Sequence, residues 1–196
     1  MRSVLTGMIA VTAVLVSGTA WSQHAHKSDY AGEQRRQIKS LSDDDISELR
    51  RGGGWGLAKA AELNGMPGPA HLLELSGEIP LTTAQVEAIE ALFRSMQAAA
   101  IAEGENLIRL ERQLDTAFAD GTIAEPTLRQ LVSEIAESRG RLRYIHLSTH
   151  LATPDLLSEE QIARYNQLRG YAADPCKSVP AGHDPAMWRK HNGCEQ

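Results

Sequence analysis

The sequence predicts an all-α fold built around a long antiparallel helical hairpin. Two long segments repeat apolar residues at steps of three and four, which is the period of one face of a helix. Between them Asp120-Gly121 has the chemistry of a tight turn. No segment of useful length alternates apolar and polar residues as a strand does. Two long helices joined by so short a connection should lie side by side and run in opposite directions.

The first long helix is predicted from Thr83 to about Ala119, a stretch without proline in which Gly104 is the only glycine. Its apolar or small seam residues are Val86, Ile89, Phe93, Met96, Ala100, Leu107, Leu110, Leu114 and Ala117. Glu103 replaces one residue of this seam. If the turn centres near Thr122, Glu103 lies level with Arg141, which favours a structural ion pair over a ligand role.

The second long helix is predicted to begin at Glu125-Pro126, since proline suits the first position of a helix, and to end before Thr153-Pro154. Its seam residues are Leu128, Leu131, Ile135, Ser138, Leu142, Ile145 and Thr149. A two-helix hairpin cannot bury its whole apolar stripe alone, so we expect short helices or a second subunit to cover it. The short helices are predicted at 43–51, 57–63, 69–75 and 159–169.

Two short stretches repeat the same helix-start signal, one before and one after the hairpin in the sequence. In Leu81-Thr82-Thr83-Ala84-Gln85 and in Leu157-Ser158-Glu159-Glu160-Gln161, a hydroxyl residue is followed three positions later by glutamine. This is the reciprocal capping box, in which the hydroxyl accepts from a backbone N–H of the first turn and the glutamine reaches back to the N–H of the cap. A weaker third copy begins at Leu41 and has Asp45 in place of glutamine.

The paired stretches resemble the L-T-x-x-Q signature of the Spy/CpxP family of periplasmic proteins, which includes zinc-resistance-associated proteins and CnrX-like metal sensors. The resemblance covers roughly 66–171. It implies a cradle-like homodimer that holds unfolded or envelope proteins without ATP, or an envelope-stress adaptor with a membrane-bound signalling partner. The client or dimer surface is then expected on the apolar residues of the hairpin and their charged flanks, namely Phe93, Met96, Leu107, Arg94 and Arg143.

Histidines suggest an alternative function. His146 and His150 are four residues apart, a spacing that lets two imidazoles on one helix face reach the same ion. His71 can return to this end of the hairpin as a third ligand, or lie on the surface. Two histidines near a helix end are also favourable without a metal, because of the helix dipole. The alternative is therefore a heavy-metal sensor or resistance protein that binds zinc, copper, nickel or cobalt, whereas the chaperone hypothesis requires no cofactor.

The first 22 residues have the pattern of a secretory signal peptide. Arg2 precedes an apolar run that ends near Val16, and small residues follow from Ser17 to Ala20. We expect export to the periplasm with cleavage of this segment, and an uncleaved anchor is the alternative. In an oxidising compartment Cys176 and Cys194 should form one disulfide, with metal ligation or intermolecular pairing as alternatives.

The chain thus divides into a signal peptide (1–22), an N-terminal segment with short helices and a glycine-rich break (23–65), the hairpin domain (66–171) and a tail that contains cysteine and histidine (172–196). A net charge of −5 without a basic stripe gives no case for nucleic acid. No nucleophile motif or phosphate loop is present, so we do not expect an enzyme. A third hypothesis is a structural module whose hairpin recognises one partner protein.

Overall fold

The structure is a computed structural model that describes residues 28–172, 179, 182–191 and 194. The chain divides after Gln34 into two units, and the elements that matter for function belong to the second. Its helices are α1 (Asp43–Arg50), α2 (Lys59–Glu62), α3 (Pro69–Glu74), α4 (Thr83–Ala119), α5 (Glu125–Ala152), α6 (Glu159–Leu168) and α7 (Pro185–His191). The described residues contain one isolated bridge, between Ile38 and Leu41, and no strand. The predicted helical class is confirmed for this part of the chain.

The long hairpin of α4 and α5 is also confirmed. The two helices pack together along their length, and Gly121 turns the chain between them with a φ of +65°. Glu103 lies opposite Arg141, whose Nε and Nη2 donate to its two carboxylate oxygens at 2.9 Å each. Burial alone would raise the pKa of Glu103, but hydrogen bonds from Arg141, Ser138 and Asn106 outweigh burial and lower it to about 2.

Residues 38–49 cover one side of the hairpin and complete the main core. Ile38, Leu41, Ile46 and Leu49 pack with buried residues of both long helices, which are Met96, Ala100, Leu107, Ile108, Leu110, Leu131, Ile135 and Leu142. The contact is close at Gly104, where an added Cβ would lie 2.5 Å from the carbonyl oxygen of Leu49. Only glycine lets α1 approach α4 this closely.

A second core lies at the end of the hairpin away from the turn, where α4 begins and α5 ends. It consists of Leu72, Ile79, Ile89 and Tyr165, each at most 1 % exposed. These residues come from α3, the following loop, the first turns of α4, and α6. The second core therefore joins the two stretches that carry the capping boxes.

The described part of the tail contains one short helix, which is absent from the helices predicted above. Pro185–His191 forms the helix α7, and the backbone N–H groups of Ala186 and Met187 donate to Asp184 Oδ1 at 3.0 and 2.9 Å. Asp184-Pro185 is thus an N-cap followed by a proline at the first helical position, a signal that was present in the sequence. Cys176 lies outside the described residues, so its pairing with Cys194 stays a prediction.

Candidate functional site

The two capping boxes meet in space and share their glutamines. Gln85 Oε1 accepts from the Thr82 backbone N–H and Gln161 Oε1 accepts from the Ser158 backbone N–H, each at 2.9 Å. The Nε2 of each glutamine also donates to the Oε1 of the other, at 2.9 and 3.0 Å. Thr82 and Ser158 complete the boxes by accepting from the N–H of their own glutamine.

Each glutamine also reaches a backbone carbonyl just before the other box. Gln85 Nε2 donates to Leu156 O and Gln161 Nε2 donates to Pro80 O, both at 2.8 Å. Both N–H groups and both acceptor positions of each amide are therefore used, and the pattern repeats itself after 76 residues. Leu81 and Leu157, which precede the caps, pack against the second core. The paired signature thus joins the start of α4 to the start of α6.

The expected client or dimer surface on Phe93, Met96 and Leu107 is wrong. Leu107 is fully buried and Met96 is 9 % exposed, while Phe93 is partly buried against the same core. The physical reason is that the segment from Ile38 to Leu49 folds back on α4 and covers this stripe within one chain. Of the charged flanks, Arg94 is exposed and pairs with Glu90 at 3.1 Å, and Arg143 is exposed.

A different apolar stripe is left uncovered, on the outer side of α5. We call it the client face and define it as Val132, Ala136, Gly140, Tyr144, Leu147 and Leu151. These residues follow each other at steps of three and four, so they share one side of the helix. Val132, Tyr144 and Leu151 are 50, 72 and 68 % exposed. An added Cβ at Gly140 would meet no atom within 4 Å, so the middle of this face is open.

The client face continues into a shallow groove between the two long helices. Tyr144 and Ser148 of α5 line it together with Leu92, Ser95 and Ala99 of α4, and its volume is about 270 Å³. Arg143 lies beside the face and makes no ion pair with another described residue. The resulting surface combines exposed apolar groups with an uncompensated positive charge.

A larger cleft of about 520 Å³ brings together all three predicted metal ligands. His71 from α3 and His146 and His150 from α5 line it, together with Met96 and Gln97 of α4. The glycine-rich break forms another wall, because residues 52–56 line the same cleft. Gly52 has a φ of +68°, and a Cβ there would lie 2.8 Å from the carbonyl oxygen of Gln97.

The imidazoles of the cleft have unequal surroundings. His146 is 5 % exposed and its Nε2 has no hydrogen-bond partner among the described residues. Burial, and to a smaller extent the neighbouring His150, lowers the pKa of His146. His150 is 8 % exposed, and its Nδ1 lies 3.0 Å from Met66 O. His71 is more open and has carboxylates on both nitrogens, with Glu74 at 3.0 Å and Glu62 at 3.4 Å.

These positions do not amount to a formed metal centre. Within the described residues, no group of three or more His, Cys, Asp or Glu side chains is placed to hold a metal ion. Glu62 is already engaged, because Arg169 pairs with it and the Tyr171 hydroxyl donates to it at 2.5 Å. Burial would raise the pKa of Glu62, but these hydrogen bonds outweigh burial and lower it. The metal-binding set of His71, His146 and His150 stays a prediction.

Sequence reasoning missed two parts of the cleft. The first is Trp55, which has a φ of 43° although it is not a glycine. Its Nε1 donates to Asp45 Oδ1 at 2.8 Å, and the guanidinium of Arg139 lies 5.1 Å from the centre of its ring. The second is the Glu62–Arg169–Tyr171 network, of which Glu62 lines the cleft. The charged residue types were visible in the sequence, but nothing in their spacing indicated that they meet.

Comparison of this chain with protein-family models, with curated proteins and with solved structures finds no match. In the part of the chain that the structure describes, no helix has the length and apolar character needed to cross a membrane. The proposals below therefore depend on the residues and their geometry.

Proposed function

We propose that this chain is an ATP-independent chaperone or envelope-stress adaptor of the Spy/CpxP type, which acts in the periplasm on unfolded or envelope proteins. The client face carries the proposal, because it presents apolar side chains over about 28 Å of α5 and no described residue covers it. Single exposed apolar residues are common on protein surfaces, whereas a contiguous stripe is typical of an interaction site. The location depends on the signal pattern of residues 1–22, which lie outside the described residues.

Reversible contact with such a face needs no nucleotide. Burial of apolar surface contributes on the order of 25 cal/mol per Å² before the ordering costs are subtracted, so a narrow stripe binds weakly and with little specificity. Arg143 adds attraction for acidic clients, and salt should weaken this part of the binding. The expected behaviour is fast capture and release of exposed apolar segments.

The homodimer is part of this proposal, with a different interface from the one the sequence suggested. Since Met96 and Leu107 are buried within the chain, the client face is the apolar surface that a second copy can use. Self-association and client binding then compete for one surface. A membrane-bound signalling partner of an adaptor would dock on the same face.

The test measures aggregation of a chemically unfolded client protein, with and without the purified chain and without ATP. The double variant Tyr144→Ser with Leu151→Ser should lose protection, because it makes two of the most exposed members of the face polar. Phe118→Ser is the matched control, since Phe118 is 56 % exposed but lies at the far end of α4. Failure of the wild type to protect, or equal loss in the control, would contradict the proposal.

Metal binding is the second candidate function, and one observation favours it. His146 Nε2 is a buried, unpaired nitrogen in a cleft shared with His150, His71 and Met96. A neutral imidazole with a lowered pKa keeps its lone pair free for a cation at neutral pH. Zinc and copper suit imidazole ligands, and the thioether of Met96 would favour copper. His71 would first have to leave Glu62 and Glu74.

Calorimetric titration of the metal-free protein with zinc, copper, nickel and cobalt tests this candidate. A ligand at a hundredfold excess over its dissociation constant stabilises the folded chain by about 2.7 kcal/mol, which a melting experiment detects. His146→Ala with His150→Ala should abolish the shift, and His183→Ala, an exposed histidine of the tail, should retain it. Absence of binding for all four metals would refute the candidate and leave the chaperone proposal untouched.

A further inference from the structure

The end of the hairpin nearest the turn carries a groove whose polar side chains are mainly donors. It has a volume of about 350 Å³ and is lined by Arg109, Arg112, Gln113, Thr116, Ala117 and Thr122; we call it the tip groove. Arg109, Arg112, Gln113 and Thr116 are three or four positions apart on α4, so they form one face of the helix. The groove is remote from both the client face and the cleft in sequence, and shares no residue with them.

The positive charges in the tip groove are not paired with a carboxylate in the part of the chain that the structure describes. Arg112 is exposed and makes no hydrogen bond or ion pair with a described residue. Arg109 is held only by neutral oxygens, those of Gln113 at 3.1 Å and Asn106 at 2.7 Å. In contrast, four other arginines of the hairpin face carboxylates, which are Arg94, Arg129, Arg139 and Arg141. Two neighbouring positive charges without a carboxylate are unusual on a chain of net charge −5.

A relay of hydrogen bonds fixes the orientation of the Asn106 and Gln113 side-chain amides. The Glu103 carboxylate can only accept, so it takes the Asn106 Nδ2 donor at 2.9 Å and leaves Asn106 Oδ1 for Arg109. Arg109 can only donate, so it takes Gln113 Oε1. The NH₂ group of Gln113 is left without a partner among the described residues. The groove is thus lined by guanidinium, amide and hydroxyl groups that can donate, and by no carboxylate.

We propose that the tip groove binds a phosphate group, either free phosphate or the phosphate of an anionic lipid headgroup. A tetrahedral oxyanion has several acceptor oxygens and no donor, which matches two guanidiniums one turn apart together with an amide and a hydroxyl. Asp120, two residues before Thr122, is an exposed carboxylate at the C-cap of α4, and neither it nor any other described carboxylate lines the groove. The proposal is independent of the chaperone and metal hypotheses.

Titration of the full chain with inorganic phosphate at low ionic strength, followed by NMR chemical shifts, is the first test. Arg112→Ala should weaken binding at least tenfold, since a hydrogen bond to a charged group is lost, and its melting temperature should stay unchanged because Arg112 has no partner to lose. Arg129→Ala is the matched control, an exposed arginine at the same end that is paired with Glu125. Asp120→Asn should tighten binding by removing the nearby negative charge.

Co-sedimentation with phosphatidylglycerol vesicles, compared with phosphatidylcholine vesicles, distinguishes the two sources of phosphate. Binding to the anionic vesicles that Arg112→Ala abolishes assigns a headgroup, whereas binding of inorganic phosphate alone assigns the free ion. The proposal is overturned if neither probe binds, if Arg112→Ala binds as well as the wild type, or if Arg129→Ala loses as much affinity. Binding of an acidic peptide in place of either phosphate probe would also overturn it.

Discussion

The shared glutamines predict an energetic coupling between two helix starts that lie 76 residues apart. Gln85→Ala removes three bonds that do not involve Gln161, with the Thr82 N–H, the Thr82 hydroxyl and Leu156 O, and two bonds to Gln161. Gln161→Ala removes two bonds with Ser158 N and Pro80 O, and the same two shared bonds. The double variant therefore loses seven bonds, whereas the two single variants together lose nine.

The size of the coupling is set by the two hydrogen bonds between Gln85 and Gln161, because each single variant loses both of them. A net contribution of about 1 kcal/mol for each neutral hydrogen bond gives a double-mutant coupling of about 2 kcal/mol. Each single variant should lose about 2–4 kcal/mol, because partly buried partners such as Leu156 O are left without a donor. The double variant should then be about 2 kcal/mol more stable than the sum of the two single effects predicts.

Urea unfolding of the wild type, both single variants and the double variant measures this cycle. The cycle of Thr82→Ala with Ser158→Ala is the control, since each hydroxyl bonds only within its own box. Those two losses should be about 1 kcal/mol each and close to additive. A glutamine coupling below about 0.5 kcal/mol, the usual limit for independent sites, or an equally large coupling between the hydroxyls, would refute the reasoning.

Three further predictions concern the hairpin. Gly104→Ala should destabilise the chain by more than about 1 kcal/mol in thermal unfolding, because the added Cβ would contact Leu49. Gly140→Ala should instead stabilise it by roughly 0.5–1 kcal/mol, because a Cβ there meets open space. Leu107→Ala should cost about 2–5 kcal/mol in urea unfolding, and a smaller loss would place Leu107 outside the core. Glu103→Gln removes a group whose pKa falls from 4.5 unfolded to about 2 folded. Because folding lowers that pKa, the stabilisation from the Glu103 carboxylate is full above pH 4.5 and disappears towards pH 2. The stability difference between wild type and variant should therefore shrink as the pH falls through this range.

The long helices could be predicted from the sequence because their signals are local. A seam of period three to four, a hydroxyl cap before Thr83 and a proline after Glu125 fix the ends of α4 and α5 without knowledge of their neighbours. The Glu103–Arg141 pair could be predicted as well, since a short turn sets the register of a hairpin. Even the third capping box forms in full, with Asp45 in the role of glutamine.

The rest could not be predicted because it depends on contacts between distant segments. Leu107 belongs to an apolar stripe that must pack against another segment. Nothing in the local sequence indicates that Ile38 and Leu49 of the same chain cover it. Gly52 is required by the carbonyl of Gln97 on another helix, so its role appears only in the folded chain. The client face was missed for the same reason. Which side of α5 stays exposed depends on which segments of the chain cover its other side.

The closure of the two capping boxes also bears on the order of folding. Pairing of α4 with α5 through the turn at Gly121 brings the two glutamines to the same end of the hairpin, so the junction between Gln85 and Gln161 can close only after the long helices are aligned. Interactions that form after the folding transition state slow unfolding and leave the folding rate almost unchanged. The amide pair should therefore form late in folding, slow unfolding and prolong the lifetime of the native chain.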